Sequence, residues 1–320
     1  MLSWLRQRSA PIPTPLAGLA LAIASVGMQW DLRLGLGLQL QTAMALLATA
    51  LLLPLALKFT LNSPLLNQEL RHPVLAAVMP TFAMALMMLS VTLASVSQWA
   101  GALLWSAAVV LHLWLLWRFI VNVRKRWGVE QMAPPWFIPT VGIVVAPLTS
   151  PAGLAWLDLA LMWFGLICCM ALLPLMLYRL IFLDFSDGAL QPTFGVMAAP
   201  VSMALAGYLK VVAAPHPALV LWLLSAALLF TCLVYLLLPK LLRLPFSPSF
   251  AALTFPLVVS ATALELLVAR LPQLGWDQLG WGLVWAIQAM ADLQLLIATV
   301  MVTIVAVRFA LHGWGRAALR

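Results

Sequence analysis

The sequence predicts an all-α integral membrane protein of ten transmembrane helices paired as five hairpins, with the N- and C-termini cytoplasmic. Three observations predict it. Hydrophobic residues make up 65% of the 320 residues and charged residues 8%, against the roughly half apolar, quarter charged mix of a soluble domain. Short charge clusters divide the chain into apolar stretches of about the 20 residues that a spanning helix needs. The Lys and Arg residues then fall almost entirely on one side of the resulting topology.

In chain order, the first helix is expected over residues 14–30, after the segment MLSWLRQRSAPIPTP. Its two leading arginines fit a signal peptide, but no small-residue cleavage site closes the following stretch, so the helix is read as retained. The second, over 36–58, is rich in leucine. The third, over 73–96, opens with Pro73 and contains Pro80, and the fourth, over 99–123, ends at the Arg124-Lys125-Arg126 cluster. The fifth, over 137–151, is short and carries proline at both ends, which fits a broken or re-entrant helix. Five more follow at 153–178, 192–212, 217–239, 249–269 and 279–308. With no long polar loop between them, residues 1–320 read as a single transmembrane domain.

With the N-terminus inside, the cytoplasmic set of basic residues is Arg6, Arg8, Lys58, Arg71, Arg118, Arg124, Lys125, Arg126, Arg179, Lys240, Arg243, Arg308, Arg316 and Arg320. Only Arg33, Lys210 and Arg270 fall on the other side. This division accounts for all 17 basic residues, and a helix missed or invented in mid-chain would scramble it. The expected location is the cell's inner (plasma) membrane, crossed many times.

Prolines open the odd-numbered helices at Pro15, Pro73, Pro139, Pro192 and Pro248, 53 to 66 residues apart. That spacing is about two spans and a loop, hence five hairpins in series. Further prolines sit inside the odd helices, at Pro80, Pro147, Pro200 and Pro256, among small residues at helical spacing such as Gly18, Ala22 and Ser25. The even helices are richer in Leu and Trp, as lipid contact requires, although Pro54, Pro174 and Pro239 lie among them. A proline in a helix frees a carbonyl that lipid cannot satisfy, so a kinked helix belongs against protein or a watery cavity. Two readings stay open on pattern alone: an inner ring of odd helices around a narrow lumen, or close helix packing through small residues.

Several functions are excluded. Cys168, Cys169 and Cys232 lie in apolar segments without metal-ligand spacing, and read as small core residues with no cofactor or metal to hold. The net charge of +8 and pI near 10.1 come from residues spread between spans, not from a basic face, so no nucleic-acid partner is expected. No HExxH, GxSxG or paired intramembrane carboxylates mark an enzyme. Two ionisable residues stand toward the middle of predicted spans. Asp292 lies near the middle of the tenth helix and His112 inside the fourth, either as a hydrogen-bonded structural group or as a proton relay. Glu265, Arg270 and Lys210 are expected near the outer mouth.

RHPVL at Arg71–Leu75, WFIP at Trp136–Pro139, QPT with a later AAP and Ser202 in the seventh helix, and PFSPSF followed by TFPL in the ninth resemble the tellurite-resistance/C4-dicarboxylate transporter family. That family comprises TehA-like bacterial proteins, fungal malate transporters and slow-type anion channels of guard cells. The resemblance covers about residues 12 to 310, and its motifs occur in the family's order. It implies five hairpins in quasi-fivefold arrangement, odd helices lining a central pore, a homotrimer in the lipid bilayer, and small anions as cargo. It also implies an aromatic gate from the ninth helix, matched here by Phe255, with Phe250 as the second choice. Without the resemblance, Phe255 reads as a packing aromatic.

The expected pore lining and kink set is Gly18, Ser25, Pro80, Thr81, Thr140, Pro147, Pro200, Ser202, Thr254, Pro256 and Ser260, joined by Thr14 and Thr193. Their hydroxyls and freed amides would donate to an anion. No Lys or Arg is expected in the lumen, so anions would bind weakly enough to leave. The leading function is transport of inorganic anions or C4-dicarboxylates such as malate. Alternatives are a proton-coupled carrier using Asp292 or His112, tellurite-resistance efflux, or a purely structural subunit.

Overall fold

The computed structural model describes residues 2–124, 128–151, 154–183, 188–276, 278 and 280–312. Lys125, Arg126, Arg316 and Arg320 of the expected cytoplasmic set lie outside them. The described residues form helices and turns and no strand. Helical segments stand at all ten expected positions, preceded by a short helix α1 (Leu2–Ser9). Eight are long and apolar enough to cross a membrane.

The first pair is α2 (Leu16–Leu34) and α3 (Gln39–Leu61). Gly35 ends α2 in the left-handed conformation, which glycine adopts without Cβ strain. The buried Asp31 carboxylate accepts from the backbone N–H groups of Leu38 and Gln41 at 2.8 Å each, satisfying donors that a helix start leaves open. A polar connector, α4 (Ser63–Arg71), leads to His72, whose Nδ1 accepts from the N–H groups of Val74 and Leu75. His72 thereby caps the next helix, which accounts for the RHP sequence.

The third expected helix is two helices, α5 (Pro73–Val78) and α6 (Pro80–Val96), followed by α7 (Gln98–Arg124). The fifth is fragmented over Pro134–Thr149 into α8 (Phe137–Val141), a 3₁₀ turn at Gly142–Val144 and α9 (Val145–Thr149). Then come α10 (Ala155–Phe182), a 3₁₀ stretch Gly188–Ala198 running into α11 (Ala199–Val211), and α12 (Pro217–Leu241). A 3₁₀ stretch Pro248–Leu253 runs into α13 (Phe255–Leu274), and α14 (Trp281–His312) ends the described chain.

Each odd segment packs on the even helix after it: α2 on α3, α6 on α7, α8 and α9 on α10, α11 on α12, and α13 on α14. The odd segments also touch one another in a closed circuit, α2 to α6, α6 to α9, α9 to α11, α11 to α13 and α13 back to α2. Burial follows this arrangement. Between 67 and 83% of the apolar window is buried in the three long inner segments, against 28 to 39% in the outer helices. The outer helices keep Leu53, Leu103, Val110, Ile167, Leu236 and Val300 exposed, the surface that lipid tails cover. Trp99, Trp156 and Trp281 are exposed at the starts of α7, α10 and α14, where an aromatic belt would meet headgroups.

Candidate functional site

The prolines of the inner segments resolve into three starts and a fracture. Pro80, Pro200 and Pro256 each lie in the first turn of the helix they open, α6, α11 and α13. Proline fits there because that N–H has no partner within the helix in any case. Thr254 joins the 3₁₀ stretch to α13 with φ −105° and ψ −84°, outside the helical region. In the fractured segment, side chains of α7 take up carbonyls. Trp105 Nε1 donates to the carbonyl of Ala146 at 3.1 Å, and His112 Nε2 lies 3.1 Å from that of Pro139. A carbonyl only accepts, so His112 carries its proton on Nε2.

The N-terminal portions of the inner segments surround a cavity of about 430 Å³. First-turn residues of four helices line it: Gly18 of α2, Thr81 of α6, Pro200 of α11, and Phe255 with Pro256 of α13. The aligned peptide dipoles leave partial positive charge toward a helix N-terminus, and four such starts border the chamber, their first-turn N–H groups bonded to upstream carbonyls, as Leu16, Ala17 and Gly18 are to Pro13, Thr14 and Pro15. Along the five inner segments the lining ends at Leu21, Met84, Gly142, Met203 and Pro256. Beyond them Ala22, Ala85, Val144, Ala204 and Leu257 are buried.

Of the residues expected to line a pore, Gly18, Thr81, Pro200, Pro256, Thr14 and Thr193 border this cavity, as does Phe255. Ser25, Pro80, Thr140, Pro147, Ser202, Thr254 and Ser260 lie outside its lining, as does Phe250. Phe250 is fully buried against Phe246, with the Arg308 guanidinium 4.7 Å from its ring centre. The hydroxyls are spent locally. Ser25 donates to Leu21 O, Ser202 to Ala198 O and Ser260 to Leu257 O, while Thr81, Thr140, Thr193 and Thr254 do the same within their own segments. Such back-bonding lets a hydroxyl live in an apolar bundle, and in this structure each of these hydroxyl protons goes to a carbonyl.

No fixed cation was expected in the lumen, and the cavity does have one at its border. Lys58, from the last turn of α3, borders the cavity together with Glu69 of α4. Lys58 Nζ is 2.6 Å from Glu69 Oε1, and it donates to the Ile12 carbonyl at 2.7 Å and to Thr14 Oγ1 at 3.2 Å. Thr14 Oγ1 in turn donates to Glu69 Oε2. The sequence places Lys58 in the cytoplasmic basic set, and the signal for more is its place inside the apolar run LALKF, ahead of the turn at Asn62.

Neither intramembrane candidate for a proton relay is among the lining residues, although the His112 ring packs behind Gly142, which is. Asp292 is held by Arg33 of α2 at 2.7 Å, and Gln288 bridges it to Glu265 with bonds of 3.3 and 3.1 Å. His112 is buried with Nδ1 lacking a hydrogen-bond partner. Arg270, expected near the outer mouth, donates to the carbonyls of Leu209 and Lys210.

Residues 12–310 match the family described as voltage-dependent anion channel. Among curated proteins, the chain is similar to two from Methanocaldococcus jannaschii. The uncharacterized transporter MJ0762 is 26% identical over 247 residues, covering 68% of this chain and 71% of that protein. The uncharacterized transporter MJ0576 is 24% identical over 264 residues, covering 73% of this chain and 75% of that one.

Proposed function

Because the chain belongs to the voltage-dependent anion channel family, the tellurite-resistance and TehA-like group, we propose that it passes small anions across the membrane through the axis of its inner ring, with Phe255 as the gate. The observation that carries this reading is the cavity itself: helix N-termini converge on an apolar chamber bordered by Phe255, 8% exposed. Positive helix ends attract an anion without trapping it, and an aromatic ring in an apolar constriction excludes water and ions together. The cargo is inorganic anions such as chloride and nitrate, or C4-dicarboxylates such as malate. Family membership and the transporter names of the relatives support anion transport.

The same reading takes all ten segments as spans in quasi-fivefold order, both termini as cytoplasmic, and the protein as a homotrimer in the inner (plasma) membrane. A proton-coupled carrier, or an efflux protein for tellurite, would need a titrating group on the path. Neither Asp292 nor His112 is among the lining residues, so the uncoupled pore is favoured.

The test is current from wild type and Phe255→Ala in planar bilayers, exchanging chloride, nitrate and malate. A barrier lower by only about 1.4 kcal/mol raises flux about tenfold, so Phe255→Ala is expected to increase anion current by at least that factor. Reversal at the anion equilibrium potential identifies the carried ion. An unchanged current from protein at normal abundance would remove Phe255 as the gate.

A further inference from the structure

We infer that Lys58 and Thr14 form an anion-binding site in the cavity wall, filled in this structure by the carboxylate of Glu69, and that a permeating anion competes with Glu69 for it. The inference rests on the anion-transport reading above and adds the residues that set affinity.

Among the described residues bordering the cavity, Lys58 and Glu69 are the charged ones. Lys58 is 2% exposed and Glu69 8%. The ammonium has three N–H donors, and three acceptors surround it: Glu69 Oε1, the Ile12 carbonyl and Thr14 Oγ1. The hydroxyl proton of Thr14 goes to Glu69 Oε2. Both carboxylate oxygens are therefore held by one cation and one hydroxyl, which is the donor set a halide, a nitrate or a substrate carboxylate would require. The other hydroxyls at the cavity offer less. Thr81 and Thr193 donate to their own backbone, and Ser247 and Ser249 bond to each other.

Electrostatics explains why such a site would carry its own counter-ion. An unpaired ammonium in a chamber this apolar would hold an anion tightly, because low dielectric strengthens every charge pair, and conduction needs binding weak enough to release. A tethered carboxylate is an internal competitor. It keeps the empty site neutral and lowers the net affinity for the passing ion. A pair serving only as a staple between the chain at residues 12–14 and the α3–α4 turn would show the same bonds, but it would not take an anion in place of the carboxylate.

The experiment measures chloride binding to the purified full chain in detergent by chlorine-35 NMR line broadening, which does not depend on flux. Glu69→Gln preserves shape and removes the competitor, and it is expected to bind chloride at least about tenfold more tightly than wild type, about 1.4 kcal/mol. Lys58→Gln/Glu69→Gln is expected to lose that gain. Melting of Glu69→Gln should rise with chloride replacing gluconate, while the double variant stays flat. Equal affinities for Glu69→Gln and wild type, or for Glu69→Gln and the double variant, would overturn the site. Should Glu69→Gln not accumulate, Glu69→Asp, which retracts the carboxylate by one methylene, is measured in the same way. Failure of both to accumulate in chloride-rich medium also sinks the proposal, since a filled site would replace the lost pair. If Phe255→Ala conducts anions while Glu69→Gln binds no more tightly, the pair is a staple and the channel stands. If Glu69→Gln binds chloride tightly and Phe255→Ala passes no anion, the site stands and the channel reading falls.

Discussion

His112 uses Nε2 on the carbonyl of Pro139 and leaves Nδ1 bare inside the protein, an arrangement that holds the fractured segment, with the ring behind Gly142 of the cavity lining. His112→Phe strands that carbonyl, and an unmet buried acceptor costs about 1–3 kcal/mol. Thermal melting of the variant should fall accordingly, with anion current per folded channel unchanged. Asp292 leads to the same expectation by another route. Its carboxylate is committed to Arg33 and Gln288 at 2.7 and 3.3 Å, so Asp292→Asn should leave uptake as insensitive to a pH gradient as wild type. A gradient-driven uptake abolished by that change would restore the coupled carrier. Phe250 and Phe255 are separated by the same logic. Phe250→Ala empties a fully buried site beside Phe246, a loss of about 3–5 kcal/mol, and it should lower stability without opening the pore.

Inner segments depend on close backbone approach where their breaks meet. At Gly195 an added Cβ would stand 2.6 Å from the carbonyl oxygen of Ala252, an atom of backbone that no rotamer change can move away. Gly195→Ala should therefore cost about 1–3 kcal/mol through overpacking, visible as a lower melting temperature, whereas Gly18→Ala meets Ala251 Cβ at an ordinary 3.6 Å and should be nearly silent. How much of these elements the sequence discloses depends on what periodicity encodes. Proline spacing locates the inner segments only in part, because Pro54, Pro174 and Pro239 stand inside the outer helices α3, α10 and α12. It does not say whether a given proline bends a helix or begins one, and Pro80, Pro200 and Pro256 all begin one. Hydroxyl positions are equally ambiguous, since a serine on an inner helix can turn back to its own backbone, as Ser202 does to Ala198 O at 2.7 Å. The Lys58–Glu69 pair was illegible for a different reason: it forms across the turn between α3 and α4, and no periodic pattern links its two members.

At the scale of the whole molecule, charge and hydrogen bonding separate the two ends. Arg33, Lys210 and Arg270 all lie toward the C-terminal ends of inner helices, where Arg33 joins Asp292 and Arg270 reaches Leu209 and Lys210. At the other end Arg179 bonds Glu130 and Leu183, Asn122 bonds Leu70, and Arg308 bonds Leu242. Length and composition alone nominate eight spans, passing over α2, which carries Asp31 and Arg33 near its end, and the short stretch Pro134–Thr149. The eight-span and ten-span topologies differ in sidedness at identifiable loops. With ten spans, Ser97 follows three crossings and faces outside, while Gly128 follows four and faces the cytoplasm. Omitting α2 reverses both, and it would put Arg118 and Arg124 outside against the positive-inside rule. Alkaline phosphatase, active only after export, should therefore be active when fused after Ser97 and inactive when fused after Gly128. The opposite pattern would mean that α2 does not cross, and a ring that needs α2 to close between α6 and α13 could not then enclose a transmembrane path.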